Sequence, residues 1–158
     1  MSKKFSHLDD NNNPSMVDIS SKLKSKRIAK AYAEVILNNE ILSLISENKI
    51  RKGNVLEVAN IAGIQAAKKT HGLIPLCHSL TLSYVKIQFE IPKNKNLIEI
   101  NSEACCVGKT GVEMEALTAV SAAALTIYDM CKSLGKEISI TDIKLKYKSG
   151  GKSGMFNA

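Results

Sequence analysis

Three observations predict an α+β fold. Residues 27–37 alternate, with Arg27, Ala29, Ala31, Ala33, Val35 and Leu37 on one side and Ile28, Lys30, Tyr32, Glu34 and Ile36 on the other, the pattern of a strand. Residues 81–91 alternate in the same way, and a Pro92-Lys-Asn-Lys-Asn96 turn returns them into 97–107, giving a hairpin. Residues 54–69 and 112–133 carry apolar side chains at helical spacing. The resulting order β-α-α-β-β-α-β is a βαββαβ unit with an extra short helix. This is the ferredoxin-like arrangement, a four-stranded antiparallel sheet with helices packed on one face.

Each element has its own reason. Residues 1–15, with Asp9, Asp10, three asparagines and Pro14, are polar and turn-prone, so a flexible arm is expected there, followed by one domain over 16–158. The alanines of 27–37 keep a helix in play, although the alternation favours a strand. Ile41, Leu44 and Ile45 give a short helix over 40–48, and Gly53 separates it from the helix over 54–69, striped by Val55, Val58, Ala59, Ala62 and Ala66. Residues 70–79, with Gly72 and Pro75, read as a loop. Gly135 ends the long helix, and Ile138, Ile140, Ile143, Leu145 and Tyr147 mark the last strand.

At 158 residues the chain is large enough to bury roughly 70% of its unfolded surface without staples. Aromatics are 4% of residues and Trp is absent, which favours helices packed on a sheet over an aromatic binding surface. Cys77, Cys105, Cys106 and Cys131 form no Cys-x-x-Cys pair, and the adjacent Cys105 and Cys106 should point to opposite faces of a strand. Neither a zinc site nor a disulfide framework is supported. No apolar run reaches membrane-spanning length, and the lysine-rich start lacks the features of a secretory signal, so a cytoplasmic protein is expected. The formal net charge of +7 suggests an anionic partner without saying which kind.

Two turns resemble the end of a phosphate-binding loop. Gly108-Lys109-Thr110 and Gly151-Lys152-Ser153 each lack the glycine five residues earlier, where Glu103 and Lys146 stand instead. A glycine-flanked turn that opens a helix still presents free amides to an anion, or serves only as a tight turn. Residues 146–154 are basic and glycine-rich; such a stretch is by default a solvated tail, with a phosphate clamp as its functional alternative. Leu76-Cys77-His78 closes a loop before a strand, where the histidine is either packed or facing a substrate.

The long helix is apolar nearly all round and should be buried, yet it carries Asp129 and Lys132 one turn apart. A solvated ion pair is the ordinary explanation. A buried acid has little structural use, so the pair reads as chemistry, on condition that the carboxylate is held dry and near a cavity. Glu115 and Asp129 are fourteen residues apart, about 21 Å along a helix and within about 40° of one face. One small ligand scarcely spans that distance. If both acids touch one substrate, a second subunit supplies one of them across antiparallel helices.

The run Gly108-Lys-Thr-Gly-Val-Glu-Met-Glu-Ala-Leu-Thr-Ala-Val-Ser-Ala-Ala-Ala-Leu-Thr-Ile-Tyr-Asp-Met-Cys-Lys132 resembles the signature of the cyclic pyranopterin monophosphate synthase family, the accessory protein C of molybdenum cofactor biosynthesis. Met16-Val-Asp18, Lys52-Gly53, Ile61-Ala-Gly63, Ala66-Ala-Lys68, Leu73-Ile-Pro-Leu-Cys-His78 and Lys148-Ser-Gly-Gly-Lys-Ser-Gly154 resemble its other motifs, so the similarity covers nearly everything after residue 15. Asn60 and Lys69 stand where the family usually has arginine, Ser79 where it has proline, and Asn12 where it has glycine. Lysine binds phosphate as a point charge rather than a fork, which bears on affinity more than on activity.

The resemblance implies a ferredoxin-like subunit in a hexamer, a trimer of dimers with active sites at the dimer interface. It implies a lyase that converts 3′,8-cyclo-7,8-dihydroguanosine 5′-triphosphate, supplied by an upstream radical enzyme, into cyclic pyranopterin monophosphate and pyrophosphate. Asp129 would be the principal general acid/base with Lys132 as its partner. Glu113 and Glu115 would hold the guanine-derived ring, Leu76, Cys77, His78 and Met114 would shape the pocket, and Lys52, Lys69, Lys148 and Lys152 would neutralise phosphates. No tightly bound cofactor or metal is implied, magnesium arriving only with the triphosphate, and neither nucleic acid nor membrane is an expected partner. The rivals are an RNA-binding module, which the aromatic-poor strands disfavour, and a regulatory trimer that binds nucleotide without turning it over.

Overall fold

The computed structural model describes residue 8 and residues 11–152 and 154–158. The strands are β1 (Ser25–Ile36), β2 (Leu82–Glu90), β3 (Leu97–Gly108), β4 (Ser139–Ser149) and β5 (Phe156–Asn157). The helices are α1 (Asn39–Ser46), α2 (Val55–Lys68), α3 (Thr70–Leu73) and α4 (Glu113–Cys131). The sheet order is β2-β3-β1-β4-β5, and every neighbouring pair is antiparallel. The first four strands reproduce the ferredoxin-like arrangement expected from their order.

Burial decides β1 in favour of a strand. Ala29, Ala31, Ala33 and Val35 are at most 1% exposed on one side of it, level with Ile98, Ile100, Ala104 and Cys106 of β3. Small side chains here let α4 approach the sheet closely, and the helix answers with Ala116, Ala119, Ala123 and Ala124, all fully buried. α2 lies against α4 where both are narrow: a Cβ on Gly63 would stand 2.7 Å from the Ala119 carbonyl oxygen. Asn38 and Asn54 cap α1 and α2, their side chains accepting from the N–H groups of Ile41 and Glu57.

The structure corrects several expectations. A fifth strand is present, because the chain after residue 154 folds back along Tyr147 and Lys148. The stretch 146–152 is therefore no solvated tail: it begins inside β4 and continues as a turn at Gly150 and Gly151. The expected loop 70–79 starts with the single turn α3. Of the expected flexible arm, residues 1–7 and 9–10 lie outside the described residues, while Leu8 forms a bridge with Pro14. Asn12 inside that bridge has φ +64°, a conformation asparagine tolerates and glycine adopts freely.

Most consequentially, α4 is not buried all round. Leu125 is 61% exposed, Tyr128 36% and the Asp129 side chain 57%. The sheet and α2 both pack against α4, and Leu125, Tyr128 and Asp129 lie on the part of its surface left open. The opposite face of the sheet carries Tyr32, Tyr84 and Tyr147, so it is less poor in aromatics than the composition suggests. They are engaged locally: Tyr32 donates to Glu34, Tyr84 to Glu103, and Lys30 lies over the Tyr147 ring. Among the described residues no helix is long and apolar enough to cross a membrane.

Candidate active site

The N-terminus of α4 sits between two cavities. Its N-cap residue, Val112, offers no side-chain acceptor, and in the first turn the Glu115 carboxyl accepts from its own N–H. The larger cavity, about 840 Å³, is walled by the turn before α4 (Lys109, Thr110, Gly111), the turn after β4 (Gly150, Gly151, Lys152), the start of β1 and the segment 21–23. The smaller, about 320 Å³, is lined by Leu76, Cys77, His78, Met114 and Glu115 together with Val17 and Ile19. Lys22, Thr110, Gly111 and Glu113 belong to both walls, so the two cavities adjoin.

The two glycine-lysine turns that failed as nucleotide-binding motifs thus face one another across a single cavity. Arg27 joins them. It is 9% exposed, its Nε and Nη2 donate to the carbonyls of Gly108 and Lys109, and its Nη1 would stand 1.7 Å from a Cβ on Gly151. Gly150 and Gly151 both have positive φ, +94° and +80°, so glycine is required there for backbone shape as well as for room. The cavity wall holds Lys22, Arg27, Lys109, Lys148 and Lys152 against one acid, Glu113. Lys148 Nζ is 3.1 Å from Glu113 Oε1.

The smaller cavity has the opposite character. Glu115 is 4% exposed, and burial pushes its carboxyl above the usual carboxylate range, with neighbouring Glu113 adding to the effect. A hydrogen bond from its own backbone N–H works the other way. Burial, and then Glu115, also push the Cys77 thiol up, so that side chain is a neutral, weakly polar wall. His78 Nε2 lies 2.8 Å from the carbonyl oxygen of Val17. An acid of raised pKa lining a cavity is suited to giving or taking a proton there.

Of the expected site residues, the structure brings Leu76, Cys77, His78, Glu113, Met114 and Glu115 together, with Lys148 and Lys152 alongside. It does not bring Asp129, Lys132, Lys52 or Lys69 to either cavity. Asp129 stands at the other end of α4, 2.7 Å from Lys132 Nζ and 3.1 Å from Lys52 Nζ, and the latter also donates to the Asp129 carbonyl at 2.8 Å. Lys132 and then Lys52 hold its carboxyl below the usual range, and the Lys132 ammonium is raised in return. The acid is exposed and paired, so the argument that a dry acid must be chemistry falls for this subunit by itself. Lys69 is exposed between α2 and α3.

The sequence reading missed Lys22, Ser25 and Arg27 as site residues. Their signal was the run of basic residues from Lys22 to Arg27 immediately before the central strand. Among the described residues no group of three His, Cys, Asp or Glu side chains is placed to hold a metal ion.

Fold and site together define a ferredoxin-like α+β protein with a cationic cavity beside an acidic one at a helix N-terminus. The chain belongs to the MoaC family, matching it over residues 16–151. It is 53% identical over 154 residues to a cyclic pyranopterin monophosphate synthase of Desulforapulum autotrophicum, covering 98% of this chain and 94% of that protein. It is 51% identical over 157 residues to the protein of that name in Clostridium perfringens strain SM101, covering 99% of each. The mitochondrial cyclic pyranopterin monophosphate synthase of Arabidopsis thaliana is 50% identical over 154 residues, 98% of this chain but 57% of the plant protein.

Proposed function

We propose that the protein is a cyclic pyranopterin monophosphate synthase, a lyase of molybdenum cofactor biosynthesis. It would convert 3′,8-cyclo-7,8-dihydroguanosine 5′-triphosphate into cyclic pyranopterin monophosphate with release of pyrophosphate. The observation that carries this is the pairing of cavities: five basic residues around one acid on one side, a buried acid of raised pKa on the other. A triphosphate carries about four negative charges at neutral pH, because its terminal phosphate titrates near pH 6. The larger cavity matches that charge, and the smaller suits a ring system with hydrogen-bonding edges.

In this reading Lys148 and Lys152 neutralise the phosphates, Glu113 and Glu115 hold the guanine-derived ring, and Leu76, Cys77, His78 and Met114 shape its pocket. The rearrangement opens an imidazole ring, closes a pterin ring and forms a cyclic phosphate, so it needs proton donors and acceptors and no redox centre. No tightly bound cofactor is called for; magnesium would enter with the triphosphate. Asp129 remains the principal general acid/base with Lys132 as partner, but only as part of a site shared between subunits, to which Lys52 and Lys69 add positive charge.

Two features support the shared site. Glu115 and Asp129 lie at opposite ends of one helix, too far apart for one ligand. Asp129 also stands beside exposed Leu125 and Tyr128, apolar surface suited to a second copy of the chain. A trimer of dimers, working in the cytoplasm where free cysteines persist, is the assembly proposed. The test is pyrophosphate release from the cyclic triphosphate by the purified protein, with its mass in solution measured alongside. No release discards the enzyme; full activity in a verified monomer discards the shared site.

A further inference from the structure

The segment between Pro14 and β1 has no regular secondary structure, yet it has a defined shape. Exposure alternates along it: Met16, Asp18 and Ser20 are exposed, while Val17 and Ile19 are half-buried and line the smaller cavity. Asp18 sets the bend. Its carboxylate accepts from the Ser20 N–H at 2.7 Å and from the Ser20 hydroxyl, so a side chain closes a turn in its own backbone. The Lys22 N–H then donates to the Ile19 carbonyl at 3.1 Å. The Ser20 hydroxyl and N–H, and after them Lys109 and His78, hold the Asp18 carboxyl below the usual carboxylate range, so at neutral pH it only accepts.

Two side chains from the body of the protein hold this strap by its carbonyls, one on each side of Asp18. Lys109, from the turn before α4, donates to the Ser20 carbonyl at 2.6 Å, and His78 Nε2, from the loop before β2, lies 2.8 Å from the Val17 carbonyl oxygen. The second contact fixes a proton. A carbonyl oxygen can only accept, so this hydrogen bond exists only when Nε2 carries the hydrogen. Nδ1 makes no hydrogen bond to a described residue. In the neutral ring Nδ1 therefore carries the lone pair and is the one ring nitrogen left to take a proton. His78 and buried Glu115 line the same cavity, whereas Asp18 lines neither.

We propose that Asp18 is a positioning residue for His78. By closing the bend it keeps the Val17 carbonyl on Nε2, which holds the ring in the Nε2–H tautomer and confines proton exchange with a ligand to Nδ1. This rests on the reading of the smaller cavity as the place of the ring system. A heterocycle there presents N–H groups as well as bare ring nitrogens, and a histidine free to change tautomer would answer either kind. A ring pinned at Nε2 accepts at Nδ1 first and donates from Nδ1 only after it has gained a proton. The strap thereby decides the direction in which His78 first moves a proton, although Asp18 itself meets no ligand.

The experiment records nitrogen and ring-proton NMR signals of the His78 imidazole in the full chain at about pH 9, above the ordinary imidazole range, for the wild type, Asp18→Asn and Asp18→Ala. The signals are assigned by their loss in His78→Gln, and pyrophosphate release is measured alongside. The wild type should show the Nε2–H tautomer, with a ring proton protected from exchange with water. Asp18→Asn should keep both, because its amide oxygen accepts the same two hydrogen bonds. Asp18→Ala should lose the protected proton and about tenfold in kcat, part of what a placed acid or base supplies, with KM changing less. Its thermal midpoint should stay, since Asp18 is exposed. A wild type in the Nδ1–H tautomer, or an Asp18→Ala chain that keeps either the protected proton or the wild-type kcat, would overturn this inference. A wild type that holds the Nε2–H ring but releases no pyrophosphate would instead overturn the function proposed above.

Discussion

Lys148 Nζ lies 3.1 Å from Glu113 Oε1, and this ion pair stands where the cationic and acidic cavities meet. Lys148 comes from β4 and Glu113 from the first turn of α4, so the contact ties the far edge of the β1–β4 pair to the helix that carries the site. In β1 the residue opposite Lys148 is Ala29, whose side faces α4, which is why this lysine turns inward while its neighbour Tyr147 turns out.

Lys148→Ala should raise KM for the cyclic triphosphate by about 10- to 100-fold, the loss of one or two hydrogen bonds to a charged group. Turnover at saturation should change less. Steady-state pyrophosphate release gives both constants, and an unchanged KM would remove Lys148 from the phosphate site.

Asp129→Asn keeps the shape and removes the ionisable group. Because Asp129 is exposed, the thermal midpoint and substrate binding should survive, while turnover drops at least about a hundredfold, the low end for a general acid or base. A single-turnover rate close to that of the wild type would end its assignment.

Mixing subunits tests the division of the site directly. Asp129→Asn and Glu115→Gln should each be nearly inactive alone, yet an equal mixture allowed to exchange should recover roughly a quarter of wild-type activity, since half of the dimers then hold one intact site of two. Native mass spectrometry verifies the exchange. No recovery in a verified mixture would mean both acids serve the same subunit or neither serves the reaction.

Glu115 ties stability to pH. Its folded pKa is raised by burial, so its contribution is fully present below the ordinary value of 4.5 and is lost as the pH climbs through the raised value. Glu115→Gln removes that loss. Its thermal midpoint should match the wild type at about pH 4 and exceed it at about pH 8, even though activity falls. Parallel stability curves across that range would show that Glu115 titrates normally.

Much of this was legible in the chain and some was not, for reasons that can be named. The alternation of 81–91 and 97–107 around Pro92 reports a local property, and β2 and β3 follow it closely. The alanine-rich 27–37 was ambiguous, because alanine suits a helix by itself and a strand only when another alanine-rich surface lies against it; α4 supplies that surface. The tail was misread because its order comes from pairing with β4, a partner that no local pattern announces. Glu115 and Asp129 fall on nearly one stripe of α4, yet Glu115 is 4% exposed and the Asp129 side chain 57%. The first lines a cavity with Leu76, Cys77, His78 and Leu80, whereas the second meets the Lys52 and Lys132 ammonium groups at the surface.

The amino-acid sequence by itself determined the order of the first four strands and of the longer helices, and the residue types gathered near the head of α4, because these follow from spacing along a chain. Which cations share a cavity, which acid is dry, and that two unrelated glycine-lysine turns confront each other through Arg27 were decided only in three dimensions. Burial and electrostatics depend on what closes over a side chain from elsewhere in the fold, and that information is held by no single stretch of residues.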